Sequence, residues 1–155
     1  MPRMSVVIAK RIELPATRLW APFAMLASCE SDAKKRSPSA YSVIHAAHGK
    51  GIGTIIAMEC DLDPRLGIRA RVEACLQELI AEDCYLRYEL IDCGELPISD
   101  CFVSIRITPN GPAACSYKFK AQFYPVDESD DVVRTLMASH GLQLLHQAQA
   151  AVGVA

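Results

Sequence analysis

Residues 101–108, CFVSIRIT, and 115–125, CSYKFKAQFYP, flank a turn, PNGPAA, and are followed by VVRTLMASHGLQLLHQAQAA at 132–151. The first two stretches alternate apolar and polar residues around a Pro/Asn/Gly turn, which is the pattern of a β-hairpin. The last stretch places Val133, Leu136, Met137, His140, Leu144, Ala148 and Ala151 on one stripe, the pattern of an amphipathic helix. A curved antiparallel sheet followed by one long helix predicts an α+β chain whose sheet grips the helix. The space between sheet and helix is then the natural seat of function.

Working outward, the 155 residues fit a single domain, 1–155, that can bury a sizeable core. Half of them are apolar, so an ordered chain is expected, and a net charge of −2 spread along the sequence gives no footprint for nucleic acid. No apolar run approaches the roughly 18 residues that span a bilayer, and MPRMSVVIAKRIEL lacks the cleavage site of a signal peptide. The seven cysteines, at 29, 60, 75, 84, 93, 101 and 115, form no CxxC pair and no zinc-type spacing with histidine. Reduced thiols acting as small apolar fillers in a cytoplasmic protein are expected, with no metal and no cofactor.

Residues 4–14 read as a strand with Val6, Ile8, Ile12 and Leu14 on one face and Lys10 intruding among them. Pro15 suits a first helical turn, Pro22 is expected to cut that helix short, and a second short helix is expected over 24–33. The polar segment 32–40 reads as a connection. YSVIHAAH opens a strand, and HGKGIGT leads into the next, IIAMECDL. The three alternate glycines suggest a phosphate cradle, but such cradles need a helix directly after them, and the continuation here is β-branched. A turn is the better reading. DPRLG at 63–67 is a loop, RVEACLQELIAED pairs with CYLRYELID through a turn at 81–83, and CGELPIS at 93–99 is a loop. The order is strand, two short helices, six strands, long helix.

This order, with PATRLW after the first strand, the G-x-G-x-G-T turn at Gly49–Thr54, Asp83 in a strand-pair turn and GELP at 94–97, resembles the helix-grip superfamily (SRPBCC). That superfamily includes the major birch-pollen allergen, START lipid-transfer domains, polyketide aromatase/cyclases and plant abscisic-acid receptors. The resemblance covers nearly the whole chain. It implies a seven-stranded antiparallel sheet wrapped around the C-terminal helix, a cavity between them and an apolar ligand. Members range from carriers and receptors to cyclases, hydrolases and lyases, so it leaves the chemistry open.

Strand alternation selects the residues that would act. Tyr117, Phe119, Ala121 and Phe123 share an inward face, as do Val103, Ile105 and Ile107, and Leu86, Tyr88 and Leu90. Polar groups on these faces are informative, because a buried polar group needs a partner or a ligand. His140 sits mid-stripe beside Gly141, whose missing side chain permits close approach to the sheet. An imidazole there can move a proton or be a satisfied core histidine. Glu78 shares parity with Leu76 and Ile80, so it points inward unless a bulge turns it out; burial would raise its pKa toward neutrality. Tyr88 and Tyr117 offer hydroxyls to a carbonyl or enolate oxygen, or simply pack with one hydrogen bond each.

Lys10, Phe23, Tyr41, His45, Phe119, Phe123, Leu136, Met137 and Leu144 are the candidate ligand contacts; Lys10 reads otherwise as the partner of a carboxylate, and the rest read otherwise as core. His146 falls on the far side of the helix and is expected in solvent. The function expected is enclosure of a hydrophobic polyketide, aromatic metabolite or lipid, with cofactor-free cyclisation, dehydration or isomerisation by His140 or Glu78. The alternative is a carrier or sensor without chemistry. The partner is thus a small molecule, with no nucleic acid and no membrane insertion, and a homodimer is left open.

Overall fold

The computed structural model describes residues 3–27, 41–45, 52–63 and 68–153. Seven strands, β1 (Met4–Ile12), β2 (Tyr41–His45), β3 (Ile55–Asp63), β4 (Ile68–Ile80), β5 (Tyr85–Asp92), β6 (Ile98–Pro109) and β7 (Cys115–Pro125), form one sheet in the order β1-β7-β6-β5-β4-β3-β2. Every neighbouring pair is antiparallel. The first strand therefore lies beside the last, and consecutive strands from β2 to β7 meander. Helix α1 (Ala16–Ala27) follows β1, and helix α2 (Asp130–Ala151) ends the chain and packs on β1, β7, β3 and α1.

The inward faces expected for β5, β6 and β7 are the faces observed. Tyr117, Phe119, Ala121, Phe123 and Val103 are fully buried, and Leu86, Tyr88, Leu90, Ile105 and Ile107 nearly so. The turn between β4 and β5 is a 3-10 turn at Ala81–Asp83, ending on Cys84 in the left-handed region. Helix α2 starts two residues before the expected run. Ser129 caps it by accepting a hydrogen bond from Val132 N–H, and Asp130 and Asp131 place negative charge on the positive end of its dipole.

Two helical expectations need correction. Pro22 does not end the first helix, which continues to Ala27. A proline inside a helix costs about 3 kcal/mol. Leu19, Trp20 and Phe23 are buried on both sides of it, and each contributes roughly 1.5–3 kcal/mol, so packing outweighs the break. Of the expected second helix, residues 24–27 belong to α1 and 28–33 lie outside the described residues, as do the connection to residue 40 and DPRLG beyond Asp63. On α2 the buried stripe is Val133, Met137, His140, Gly141, Leu145 and Ala148. Leu136 and Leu144 are half-buried and Ala151 is exposed. The stripe is rotated by roughly 40°, at 100° per residue, because Gly141 faces the sheet and brings its neighbours with it.

Candidate functional site

Gly141 sets the geometry. A Cβ placed there would meet Phe119 Cδ1 at 2.6 Å and Ile8 Cδ1 at 2.8 Å, so only glycine allows α2 this close to β7 and β1. The Tyr117 hydroxyl donates to the Gly141 carbonyl oxygen at 2.8 Å, locking the same helical turn to the sheet. Burial pushes the Tyr117 hydroxyl pKa well above its usual value. Phe23 stacks between Tyr117 and Trp20, with ring centroids 6.3 Å apart on each side, so α1 is tied to the same point. Tyr117 is thus engaged within the fold.

One residue earlier, His140 Nε2 lies 2.9 Å from the Tyr88 hydroxyl, a buried hydrogen bond whose direction follows the imidazole tautomer. The Phe119 ring meets the imidazole edge-on at 5.9 Å. Burial pushes the His140 pKa down to about 4, so the imidazole is neutral at pH 7. Of the four candidate catalytic residues, Tyr88 and Tyr117 thus bond to neighbouring positions of α2, the His140 side chain and the Gly141 carbonyl.

Glu78 does not join them, and its expected inward placement is corrected. The β4–β5 register slips between Leu76 and Glu78, so Gln77 is the extra residue of a bulge and parity reverses after it. Leu79, opposite Leu86, turns to the core, while Glu78 is exposed and lies 3.7 Å from the Arg87 guanidinium. The sequence carries no mark of this: Gln77 is as compatible with a regular strand as with a bulge.

Among the candidate ligand contacts, Phe23, Phe119, Phe123 and Met137 are packed in the core, and Leu136 and Leu144 are half-buried at its margin. Lys10 is exposed, although its strand position opposes that of buried Tyr117. Tyr41 and His45 pair with β3 through their backbones, and their side chains lie outside the described residues. Of the glycine turn, Gly53 has φ +90° and donates to the Leu76 carbonyl at 2.7 Å, which anchors the start of β3; Gly49 and Gly51 lie outside the described residues.

An open groove among the described residues lies on the face of α2 turned away from its buried stripe. It has a volume of about 710 Å³, and its described wall is Thr135, Ala138, Ser139, Leu142, Gln143, His146, Gln147 and Ala150. None of the candidate catalytic residues belongs to that wall. His146 is exposed, as expected, but it faces this groove. One signal was available in sequence: after Arg134 the chain carries no Asp, Glu, Lys or Arg up to its last residue, Ala155. A helix face open to water normally carries charge.

No family model and no curated protein sequence matches the chain. Solved structures do match in shape. Norcoclaurine synthase from Thalictrum flavum superposes with a TM-score of 0.69 at 16% identity, covering 99% of this chain and 86% of that one. The fold is the helix grip. The aromatase/cyclase Zhui from Streptomyces sp. R1128 shares it at TM-score 0.67 and 12% identity, over 97% of this chain and 92% of its own. Ara h 8.0201 shares it at TM-score 0.71 and 11% identity, over 99% and 100%. At such identities the likeness is one of fold. Within this helix grip no helix of the described residues is long and apolar enough to cross a membrane, and no group of described His, Cys, Asp and Glu side chains is placed to hold a metal ion.

Proposed function

We propose that this helix-grip protein binds a hydrophobic small molecule of mixed polarity against the outer face of α2. The observation that carries the reading is an open groove of about 710 Å³ along a helix face without Asp, Glu, Lys or Arg. That volume falls in the range of sites for drug-sized ligands, roughly 300–1,000 Å³. Ala138, Leu142 and Ala150 offer apolar contact, while Ser139, His146 and Gln147 share the same helix face and offer hydroxyl, imidazole and amide groups to orient a carbonyl or phenol. A structure of norcoclaurine synthase holds dopamine and hydroxybenzaldehyde, and a second neighbour is an aromatase/cyclase, so an aromatic metabolite or polyketide is the favoured class.

The test is native mass spectrometry of the purified protein, followed by release of any bound molecule, and a thermal-shift screen of aromatic metabolites, polyketides and lipids. Leu142→Trp fills the groove and is expected to abolish both the co-purifying mass and the shift without lowering the melting temperature. If neither wild type nor variant responds to any of these compounds, the binding reading fails.

A second reading, favoured by the neutral imidazole hydrogen-bonded to Tyr88, is cofactor-free chemistry on a carbonyl ligand. It requires the carbonyl ligand to seat between α2 and the sheet, a place distinct from the groove on the opposite face; there His140 would accept a proton from the carbon beside the carbonyl, and Tyr88 would donate a hydrogen bond to the enolate oxygen that forms. Returning the proton elsewhere completes an isomerisation, and expelling water completes a dehydration. His140→Gln is then expected to keep ligand affinity and lose turnover; equal turnover by both proteins would leave binding alone.

A further inference from the structure

The outward face of the sheet, which neither reading uses, has its own organisation. Strand register aligns Val7, Lys120, Ser104, Arg87 and Glu78 in one row across β1, β7, β6, β5 and β4. The next row reads Ala9, Lys118, Arg106, Tyr85 and Ile80. With Arg3 beyond them, five described cations lie in or beside these two rows in a chain whose net charge is −2. The arginines are held over rings: Arg106 lies 4.6 Å from the Tyr85 centroid, and Arg87 and Arg3 lie 4.6 and 5.3 Å from that of Phe102. Stacking fixes the guanidinium planes and leaves their N–H edges available. Along the first row, on the side of Phe102 and Gln122, is a hollow of about 230 Å³ whose wall includes Glu78, Arg87, Ser104 and Lys120. The carboxylates nearby are Glu78, which faces Arg87 at 3.7 Å, and Glu89, which accepts from Gln77 at 3.2 Å; Arg11 on the edge strand is paired with Glu13.

We infer that this face docks an acidic polypeptide segment of another protein, with one carboxylate side chain seated in the hollow between Arg87 and Lys120. The spacing suits it. Cations on adjacent strands are about 5 Å apart and alternate residues of one strand about 7 Å apart. Carboxylates at i and i+4 of a helix have similar separations, about 6 Å. Val7 and Ile80 are 53% and 38% exposed on the same face and give aliphatic contact to a partner that is acidic and partly apolar. Nucleic acid fits less well. Arg87 and Arg106 cover the rings on which bases would stack, and Glu78 and Glu89 would repel a continuous phosphate chain. An anionic bilayer would need free aromatic or clustered aliphatic side chains to insert, whereas here the rings of Phe102 and Tyr85 lie under arginines and Val7 and Ile80 stand on separate strands.

The probe is a helical glutamate-rich peptide with leucines along one flank, titrated into the full chain and followed by amide chemical shifts and by fluorescence anisotropy at two salt concentrations. Shifts are expected on Arg87, Ser104, Arg106, Lys118 and Lys120, with affinity falling as salt rises. Joint reversal, Lys118→Glu with Lys120→Glu, is expected to weaken binding roughly tenfold at unchanged melting temperature. Glu78→Gln frees Arg87 and is expected to tighten binding about two- to fivefold, a gain that a damaged fold cannot produce. The inference is overturned by absent binding, by shifts on another face, or by no gain from Glu78→Gln. Tighter binding of a single-stranded oligonucleotide or of phosphatidylserine vesicles on these same residues overturns it too.

Discussion

His140 gives the sharpest prediction, because its burial ties stability to pH in one direction. Its folded pKa is about 4, against an ordinary value of 6.5 for an unfolded histidine. The unfolded chain therefore takes up a proton that the folded chain refuses, and stability falls as pH drops through 6.5 and goes on falling until about 4. Above 6.5 both states are neutral and the residue contributes no slope. Working the two binding curves gives a loss of about 2 kcal/mol between pH 7 and pH 5, and about 3 kcal/mol by pH 4. For a domain of this length the first figure corresponds to a fall in Tm of roughly 4–8 °C.

The assay is urea unfolding of wild type and His140→Gln at pH 7, 6 and 5. Glutamine can still hydrogen-bond Tyr88 but does not titrate, and the surface carboxylates contribute equally to both proteins. Wild type should lose about 2 kcal/mol more than the variant across that range, and the imidazole resonances of His140 should stay neutral at pH 5. Parallel losses in the two proteins, or a His140 that protonates near 6.5, would refute the buried placement and with it the Tyr88 pair.

Three further outcomes follow from the same geometry. Gly141→Ala sets helix propensity, a gain of about 1 kcal/mol, against overpacking of Phe119 and Ile8, a cost of typically 1–3 kcal/mol. With contacts of 2.6 and 2.8 Å to core rings and side chains the cost should win, so Tm falls, and a rise would show that α2 stands away from β7. Tyr117→Phe keeps the stacking on Phe23 but removes the hydrogen bond to Gly141, and should lower stability by about 1 kcal/mol in urea unfolding. Burial pushes the thiols of Cys84, Cys93 and Cys115 up, so site-resolved iodoacetamide labelling at pH 7 should be slower at all three than in the unfolded chain.

Much of this fold can be read from alternation. In β5, in β6 from Cys101 and in β7 the buried residues recur every second position, and each residue expected inward on these strands is buried. The same rule fails for Glu78, because a bulge inserts one residue and reverses every face after it, and Gln77 leaves no local mark. Periodicity fails differently on α2. Leu136 and Leu144 outrank Gly141 in hydrophobicity, yet the residue without a side chain is the one pressed against the sheet. Pro22 was read by its local cost, which three buried neighbours exceed.

These failures bear on where function resides. A helix gripped by a sheet has one face whose composition is dictated by packing, and His140, Tyr88 and Tyr117 satisfy one another or the backbone on that face. Such residues explain themselves structurally. The opposite face of α2 is under no packing demand from the sheet, so its lack of charge beyond Arg134 calls for another cause. A ligand against that face supplies one, since charged side chains there would lose water without gaining a partner. The substitution that separates the alternatives is Gln147→Glu, on the same wall. On a face open to water it should change stability by less than about 0.5 kcal/mol. On a wall covered by an apolar ligand it should leave the empty protein nearly unchanged and weaken ligand binding about tenfold or more, as read by the thermal shift. Equal ligand affinities for the two proteins would place the ligand elsewhere.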